Sequence, residues 1–286
     1  MIRWLVIGLT VLAMSGCTTI RLAYNTSDKL IAYRLNDWFD ISGELEAPAH
    51  ERLAKVMSWH RYEELPEYSR ILLSMRDRLN DPAPVTVPQV LAIEGQVAQH
   101  LLRIGNKVAD EFADLFPRLG PAQRKRLVSR IEDSDNEFRE KNIDISPAKL
   151  RKRRIDGMVD RYEFWLGKLD SAQRERVAKW ADEADAAGKE RLAYRQARQR
   201  SFLEILDAGK TATPAETASR LRAFFADMES PKNPAEKAHQ RAQLERWAAL
   251  SADLINSATP AQRKRAQEKL QTMSDDFLTL SRKNAG

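Results

Sequence analysis

The 286-residue sequence contains a single cysteine, and it has few glycines and prolines, 11 and 12 respectively. One cysteine excludes a disulfide framework and a cysteine-rich metal cluster. The scarcity of glycine and proline excludes a fibrous or low-complexity chain, and the apolar content of 43% excludes a disordered one. The length is enough for one large domain or two small ones with a buried core.

The first seventeen residues have the layout of a secretory signal peptide. Arg3 supplies a positive charge, and an apolar run of 11 residues follows over residues 4–14. The small residues Ser15 and Gly16 then precede the only cysteine, Cys17. This order is typical of exported proteins. A membrane-spanning helix needs roughly 20 apolar residues, so we predict that this run is a cleaved leader and not an anchor.

The segment Leu12–Cys17 resembles the lipobox of bacterial lipoproteins. The resemblance implies that a lipid is attached to the Cys17 thiol, and that cleavage before Cys17 frees its amine for a further acyl chain. Several acyl chains at one terminus give firm membrane attachment. Thr18 stands where an aspartate would favour the inner membrane. The resemblance therefore implies a lipid anchor at the periplasmic face of the outer membrane, with the inner membrane as the alternative.

These features divide the chain into three parts. Residues 1–16 are the predicted signal peptide, residues 17–27 an acylated N-terminal tether, and residues 28–286 a helical domain. A candidate boundary within that domain lies near residues 209–213.

Signals for helix starts recur along the mature chain. A capping residue, a proline at the first helical position and Gln or Glu at the third satisfy otherwise unpaired amides. Thr213-Pro214-Ala215-Glu216 has this form, and similar sequences predict helices from residues 121, 147, 171, 214, 234 and 260. Apolar residues at helical spacing extend the pattern upstream. We predict an all-α, compact or elongated bundle of about nine to eleven helices, without a sheet.

Three similar eight-residue segments occur in the sequence, at Leu119–Arg126, Leu169–Arg176 and Ala258–Arg265. One interpretation is a recurring helix cap. The other is a resemblance to the Leu-Thr-x-x-Gln motif of small periplasmic stress chaperones.

The net charge of +6 is concentrated in residues 118–154. A periplasmic protein meets little nucleic acid, so we predict anionic lipid, lipopolysaccharide or an envelope protein as the partner. The candidate anionic-surface contacts are Lys149, Arg151, Lys152, Arg153 and Arg154. The alternative is a solvated, partly salt-bridged helix.

The most distinctive segment is Trp59–Tyr68, with the sequence Trp-His-Arg-Tyr-Glu-Glu-Leu-Pro-Glu-Tyr. Together with Trp165-Leu166-Gly167, it resembles an uncharacterised family of proteobacterial lipoproteins that carries a Trp-His-Arg-x-x-Glu-Leu-Pro-x-Tyr element. The resemblance implies a helical fold and an envelope location, and it implies no activity.

Tryptophan, tyrosine and arginine are frequent anchors of protein interfaces. The candidate partner-docking residues are Trp59, His60, Arg61, Glu64 and Tyr68. The alternative is a helix–helix corner in which the aromatic residues pack and Arg61 pairs with a carboxylate. On a helix His60 faces Glu63 and Glu64, but one histidine and one carboxylate fall short of the three ligands of a zinc site, so we predict no metal and no cofactor.

Signatures of catalysis are missing from the sequence. We find neither a nucleophile elbow nor a phosphate-binding glycine loop, and acylation of Cys17 removes the thiol. We therefore predict a non-catalytic interaction or scaffold module of the cell envelope. The alternative is an ATP-independent periplasmic chaperone, and the third hypothesis is a hydrolase of envelope polymers.

Overall fold

The computed structural model describes residues 18–183 and 187–282. The predicted signal peptide and Cys17 lie outside the described residues. The described α-helices are α1 (Thr18–Asn25), α2 (Ser27–Phe39), α3 (Glu46–Trp59), α4 (Leu65–Asn80), α5 (Val87–Phe112), α6 (Pro121–Asn142), α7 (Pro147–Leu166), α8 (Ser171–Glu183), α9 (Gly188–Ala208), α10 (Pro214–Glu229), α11 (Pro234–Asn256) and α12 (Pro260–Ser281).

Short non-α segments complete the helical structure. Gly43–Leu45 and Ala113–Arg118 form 3-10 helices, and a π-helical turn at His60–Glu64 joins α3 to α4 without a break. Counting that joined pair once, the described ranges hold eleven helices and no strand. The prediction of an all-α multi-helix bundle is confirmed.

All six predicted helix starts are confirmed, because α6, α7, α8, α10, α11 and α12 begin at the expected residues. At α10, the Thr213 hydroxyl oxygen accepts from the Glu216 N–H at 3.2 Å, and the Glu216 carboxylate accepts from the Thr213 N–H at 2.8 Å. Asp170 and Gln173 exchange the same pair of bonds at α8, at 2.8 and 3.1 Å. These local bonds satisfy the first amides of each helix.

Three clusters of buried apolar side chains form the interior. The first is built mainly from α5, α6, α9 and α10, the second from α7, α8, α11 and α12, and the third from α1, α4 and α12. Helix α12 belongs to the second and third clusters, so it ties the end of the described chain to its beginning.

The loop at residues 209–213 connects α9 to α10. Ile205 and Leu206 before it and Leu221 after it are buried in the same first cluster. The helices on both sides of the predicted sub-boundary therefore contribute to one core.

The helical body begins earlier than the sequence analysis places it. Residues 18–25, predicted as part of the tether, form α1, whose Tyr24 is buried in the third cluster. Arg21 also pairs with the buried Asp276 of α12, with Nε and Oδ1 3.2 Å apart. Helix α1 therefore packs against α12 through the buried Tyr24 ring and the ion pair between Arg21 and Asp276.

Two copies of the repeated segment meet inside the protein. Gln173 and Gln262 are both buried, and each donates from Nε2 to Oε1 of the other, at 2.9 and 3.0 Å. Tyr162 and Ser251, which are also 89 positions apart, share a buried hydrogen bond of 2.6 Å. The hairpins α7–α8 and α11–α12 therefore face each other through equivalent positions. Besides capping its helix, each of these glutamines holds the two hairpins together.

We expect Gln173→Ala to lower the free energy of unfolding by roughly 1–3 kcal/mol, because it leaves part of the buried Gln262 amide without its partner. The matched control is Gln123→Ala, which removes a capping glutamine that is half-buried and bonds to the Asp40 carbonyl instead of another glutamine. A denaturant double-mutant cycle of Gln173→Ala with Gln262→Ala should show non-additivity. Strictly additive effects would contradict the pairing.

Candidate functional site

The Trp59–Tyr68 segment contains the π-helical turn His60–Glu64. Its wide geometry is marked by a hydrogen bond from the Leu65 N–H to the His60 carbonyl. Pro66 follows at once, and a proline has no N–H and crowds the carbonyl four residues earlier, which favours a local change in helical geometry. Turns of this kind are frequent at functional sites. Here the turn directs the side chains of His60 and Glu64 to different neighbours.

His60 lies between two tyrosines. Its Nδ1 is 2.9 Å from the Tyr24 hydroxyl, and its Nε2 is 3.4 Å from the Tyr68 hydroxyl. The imidazole stacks on the Tyr24 ring at 5.7 Å between centroids. Burial lowers the pKa of His60 to about 4. The ring is therefore neutral near pH 7, and one hydroxyl donates to it while the other accepts from it.

The two tyrosines are held in their protonated form. Burial raises the pKa of Tyr24 to about 12, against the opposing effect of the Arg61 guanidinium. Burial also raises the pKa of Tyr68, and the nearby Glu64 adds to the effect. These phenols therefore act as hydrogen-bonding groups and not as bases.

Arg61 connects the π-helical turn to both ends of the described chain. Its guanidinium lies 4.9 Å from the centroid of the Tyr24 ring, donates to Asn25 Oδ1 at 2.8 Å, and donates to the Leu280 carbonyl at 3.2 Å. The guanidinium therefore reaches a carbonyl near the end of α12, where the last carbonyls of a helix lack partners within the helix.

Glu64 is completely buried, at 0% exposure. Its Oε2 is 2.6 Å from His100 Nδ1, and its Oε1 is 3.0 Å from Arg103 Nε. Both partners project from α5, one helical turn apart. Glu64 faces α5 and not His60, because the π-helical turn separates their directions. We call Tyr24, His60, Glu64, Tyr68 and His100 the buried network, which the half-exposed side chain of Arg103 contacts from the surface.

The structure separates the five predicted docking residues, and Arg61 contacts α1 and the end of α12. His60, Glu64 and Tyr68 belong to the buried network, so Glu64 has no surface with which to contact a partner. Trp59 is half-buried and lies outside the three core clusters. Tyr62 of the same segment is half-buried as well, so Trp59 and Tyr62 are the aromatic side chains of this segment that retain exposed surface outside the core clusters.

Sequence reasoning missed Tyr24, His100 and Arg103. Their contacts with the π-helical turn join residues 36 to 39 positions apart, which no local pattern records. One signal was available, since His100 and Arg103 lie three positions apart on one face of a helix.

The buried network can position helices, because its groups contact one another; Glu64 Oε1 meets Arg103 as an ion pair without a hydrogen bond. Both ring nitrogens of His60 face tyrosines, and the Glu64 carboxylate faces two bases. Within residues 18–183 and 187–282, no group of three or more His, Cys, Asp or Glu side chains could hold a metal ion. The geometry supports a clamp between α1, α4, α5 and α12.

The basic cluster on α7 is largely paired. Arg151 donates to both carboxylate oxygens of Asp182, and Lys152 pairs with Asp156 at 2.6 Å. Arg153 donates to the carbonyl of Lys141 at the end of α6. Lys149 is exposed and Arg154 is half-buried. This arrangement favours the alternative of a solvated, partly salt-bridged helix.

None of the described helices is apolar over a length sufficient to cross a bilayer.

Comparison with known proteins gives one match. The model of a family described as "Family of unknown function (DUF6279)" matches residues 37–230, more than half of the 286-residue chain. No curated protein and no solved structure matches. The matched range includes the π-helical turn, His100 and Arg103, and it ends before α11. The match confirms the expected membership of an uncharacterised family.

We expect acid to destabilise the protein through His60. An ordinary histidine has a pKa of 6.5, and the folded value is about 4. Between these values the unfolded chain binds a proton that the folded chain does not, so the free energy of unfolding falls as the pH falls, by on the order of 3 kcal/mol in total.

Urea unfolding at a series of pH values measures this dependence. The variant His60→Gln should lose the contribution, whereas His50→Gln, at an exposed histidine, should keep it. An identical pH dependence in His60→Gln and the wild type would show that His60 is not the group responsible.

Proposed function

Because the chain belongs to this family of unknown function, its role must be argued from its own residues, and we propose that it is a lipoprotein at the periplasmic face of the outer membrane that acts as a non-catalytic interaction module. The leader and Cys17 supply the sequence argument for the anchor. The family match carries no activity that could replace this argument.

The docking of α1 is the observation that carries the proposal. Helix α1 starts one residue after Cys17, and it is held to the body by three contacts. Tyr24 bonds to His60, Asn25 accepts from Arg61, and Arg21 pairs with Asp276. A lipid on Cys17 would therefore hold the body in a defined orientation beside the membrane. An adaptor that presents one surface to a partner benefits from such an orientation.

The surface around Trp59 is the best candidate for the partner contact. Trp59 is half-buried, and the neighbouring Glu63 is exposed. A partly exposed tryptophan supported by a rigid interior is a typical interface anchor. The α7 cluster is a weaker candidate, since Arg151 and Lys152 already pair with aspartates.

The chaperone alternative depends on the Leu-Thr-x-x-Gln-like segments. Gln173 and Gln262 use their side chains for helix caps and for each other. These contacts give the recurring segments a structural role, so the resemblance lends the chaperone hypothesis little support.

We expect Cys17→Ser to move the protein from the membrane fraction to the soluble periplasmic fraction, because the acyl chains supply the attachment. Thr18→Asp should retain the protein at the inner membrane in a density gradient. Trp59→Ala serves as the control and should stay with the outer membrane. Recovery of Cys17→Ser in the outer-membrane fraction would refute the anchor.

Photo-crosslinking in cells tests the partner surface. A probe in place of Trp59 should give one discrete adduct, and a probe in place of Lys179, exposed on α8, should not. A broad set of adducts from both probes, increasing under unfolding stress, would favour the chaperone. We also expect Trp59→Ala to lower the free energy of unfolding by less than the roughly 3–5 kcal/mol that truncation of a fully buried tryptophan costs. The reason is that the Trp59 side chain is half-buried.

A further inference from the structure

Exposed apolar side chains are concentrated next to the predicted anchor. Leu22, Leu30 and Tyr33 are 67%, 59% and 65% exposed. Among the described residues, the one other large apolar side chain in this class is Val97 on α5, at 40%. We call Leu22, Leu30 and Tyr33 the α1–α2 apolar face. Large apolar side chains gathered in this way mark an interaction surface.

The three side chains share one side of a nearly continuous helix. Hydrogen bonds run through the junction between α1 and α2, from the Thr26 N–H to the Leu22 carbonyl at 3.2 Å and from the Leu30 N–H to the Thr26 carbonyl at 3.4 Å. Thr26 at the junction has φ -110° and ψ 0°, outside helical values, and counted through it at 3.6 residues per turn the three positions fall within about 80° of each other. The opposite side carries Tyr24 and Trp38, which pack against the body.

Basic residues accompany the apolar face. Lys29 and Arg34 are both exposed on α2. Long basic side chains beside apolar ones suit a membrane interface, where their charges reach lipid phosphates while their alkyl stems cover acyl chains. In a symmetric pairing with a second copy, the same cations would be brought together, which is unfavourable.

The chain also limits how far this face can lie from the anchor. Leu22 follows Cys17 by five residues. Five residues span at most about 18 Å, so an acyl chain on Cys17 would keep Leu22 close to the same leaflet. Tyr33 lies a further 11 residues along, about 17 Å at 1.5 Å per residue. For all three side chains to reach lipid, this helix must lie along the membrane surface.

We infer that the α1–α2 apolar face inserts into the headgroup region of a phospholipid bilayer, with the helix axis parallel to the membrane. The inference rests on the proposed function, because acylated Cys17 would bring this face to the lipid. Two attachments, the acyl chains and the apolar face, would fix the rotation of the body and so determine which surface reaches a partner.

Hydroxyl-radical footprinting tests the inference on the acylated full chain. The protein is floated with vesicles of phosphatidylethanolamine and phosphatidylglycerol and compared with the Cys17→Ser protein in solution. Oxidation of Leu22, Leu30 and Tyr33 should fall several-fold on the vesicles, while oxidation of Val97 should not change. Equal oxidation of the apolar face in both states would overturn the inference.

A triple variant gives an independent measurement. In the vesicle-bound wild type and in the control Val97→Ser, Lys29 should be protected from an amine-acetylating reagent. In Leu22→Ser/Leu30→Ser/Tyr33→Ser that protection should be lost, although the variant still floats through its acyl chains. Persistent protection of Lys29 in the triple variant would count against insertion of the face.

Two other outcomes separate this inference from its alternatives. Low oxidation of the face in solution, together with a dimer in sedimentation, would assign it to a second copy and overturn the lipid assignment. Failure of the wild-type chain to float would refute the proposed anchor, and this inference with it. Flotation without protection would refute the inference alone.

Discussion

The fully buried carboxyl group of Glu64 constrains how the helices around it pack. Removing a charged group from water is costly unless partners compensate it, and Glu64 has His100 on one oxygen and Arg103 on the other. Helix α5 therefore crosses the π-helical turn with His100 turned toward Glu64, while Arg103 reaches the carboxylate from the exposed side of the helix. The positions of α3, α4 and α5 relative to each other follow from this requirement.

The π-helical turn links that constraint to the two ends of the described chain. It directs Glu64 toward α5 while His60 and Arg61 contact α1 and α12. His60 packs between two phenols as a neutral imidazole, because burial in this position disfavours the charged form. The segment that follows the predicted lipid attachment is consequently part of the rigid body, and the orientation proposed for the protein depends on this.

The glutamine caps show how one local signal serves two purposes. Each cap closes the first turn of its own helix, as at Asp170 and Gln173. The same Gln173 side chain then bonds to Gln262, 89 positions away, and stabilises the contact between two hairpins. Gln123 caps its helix without such a partner. The recurring segment therefore predicts helix starts reliably, but it does not reveal which copies meet.

Residues within one helical turn of each other carried enough information to predict the helix starts and the helical class, because caps, proline and apolar spacing act locally. The predicted leader and the predicted lipid attachment at Cys17 likewise rest on the sequence alone. The partners of His60 and Glu64 could not be predicted from it, since Tyr24, His100 and Arg103 become neighbours only when distant helices pack. Tertiary structure also decided that Glu64 is interior, that Trp59 is partly exposed, and that α1 is docked. These outcomes depend on which surfaces the packed helices cover, and a one-dimensional pattern contains no measure of that.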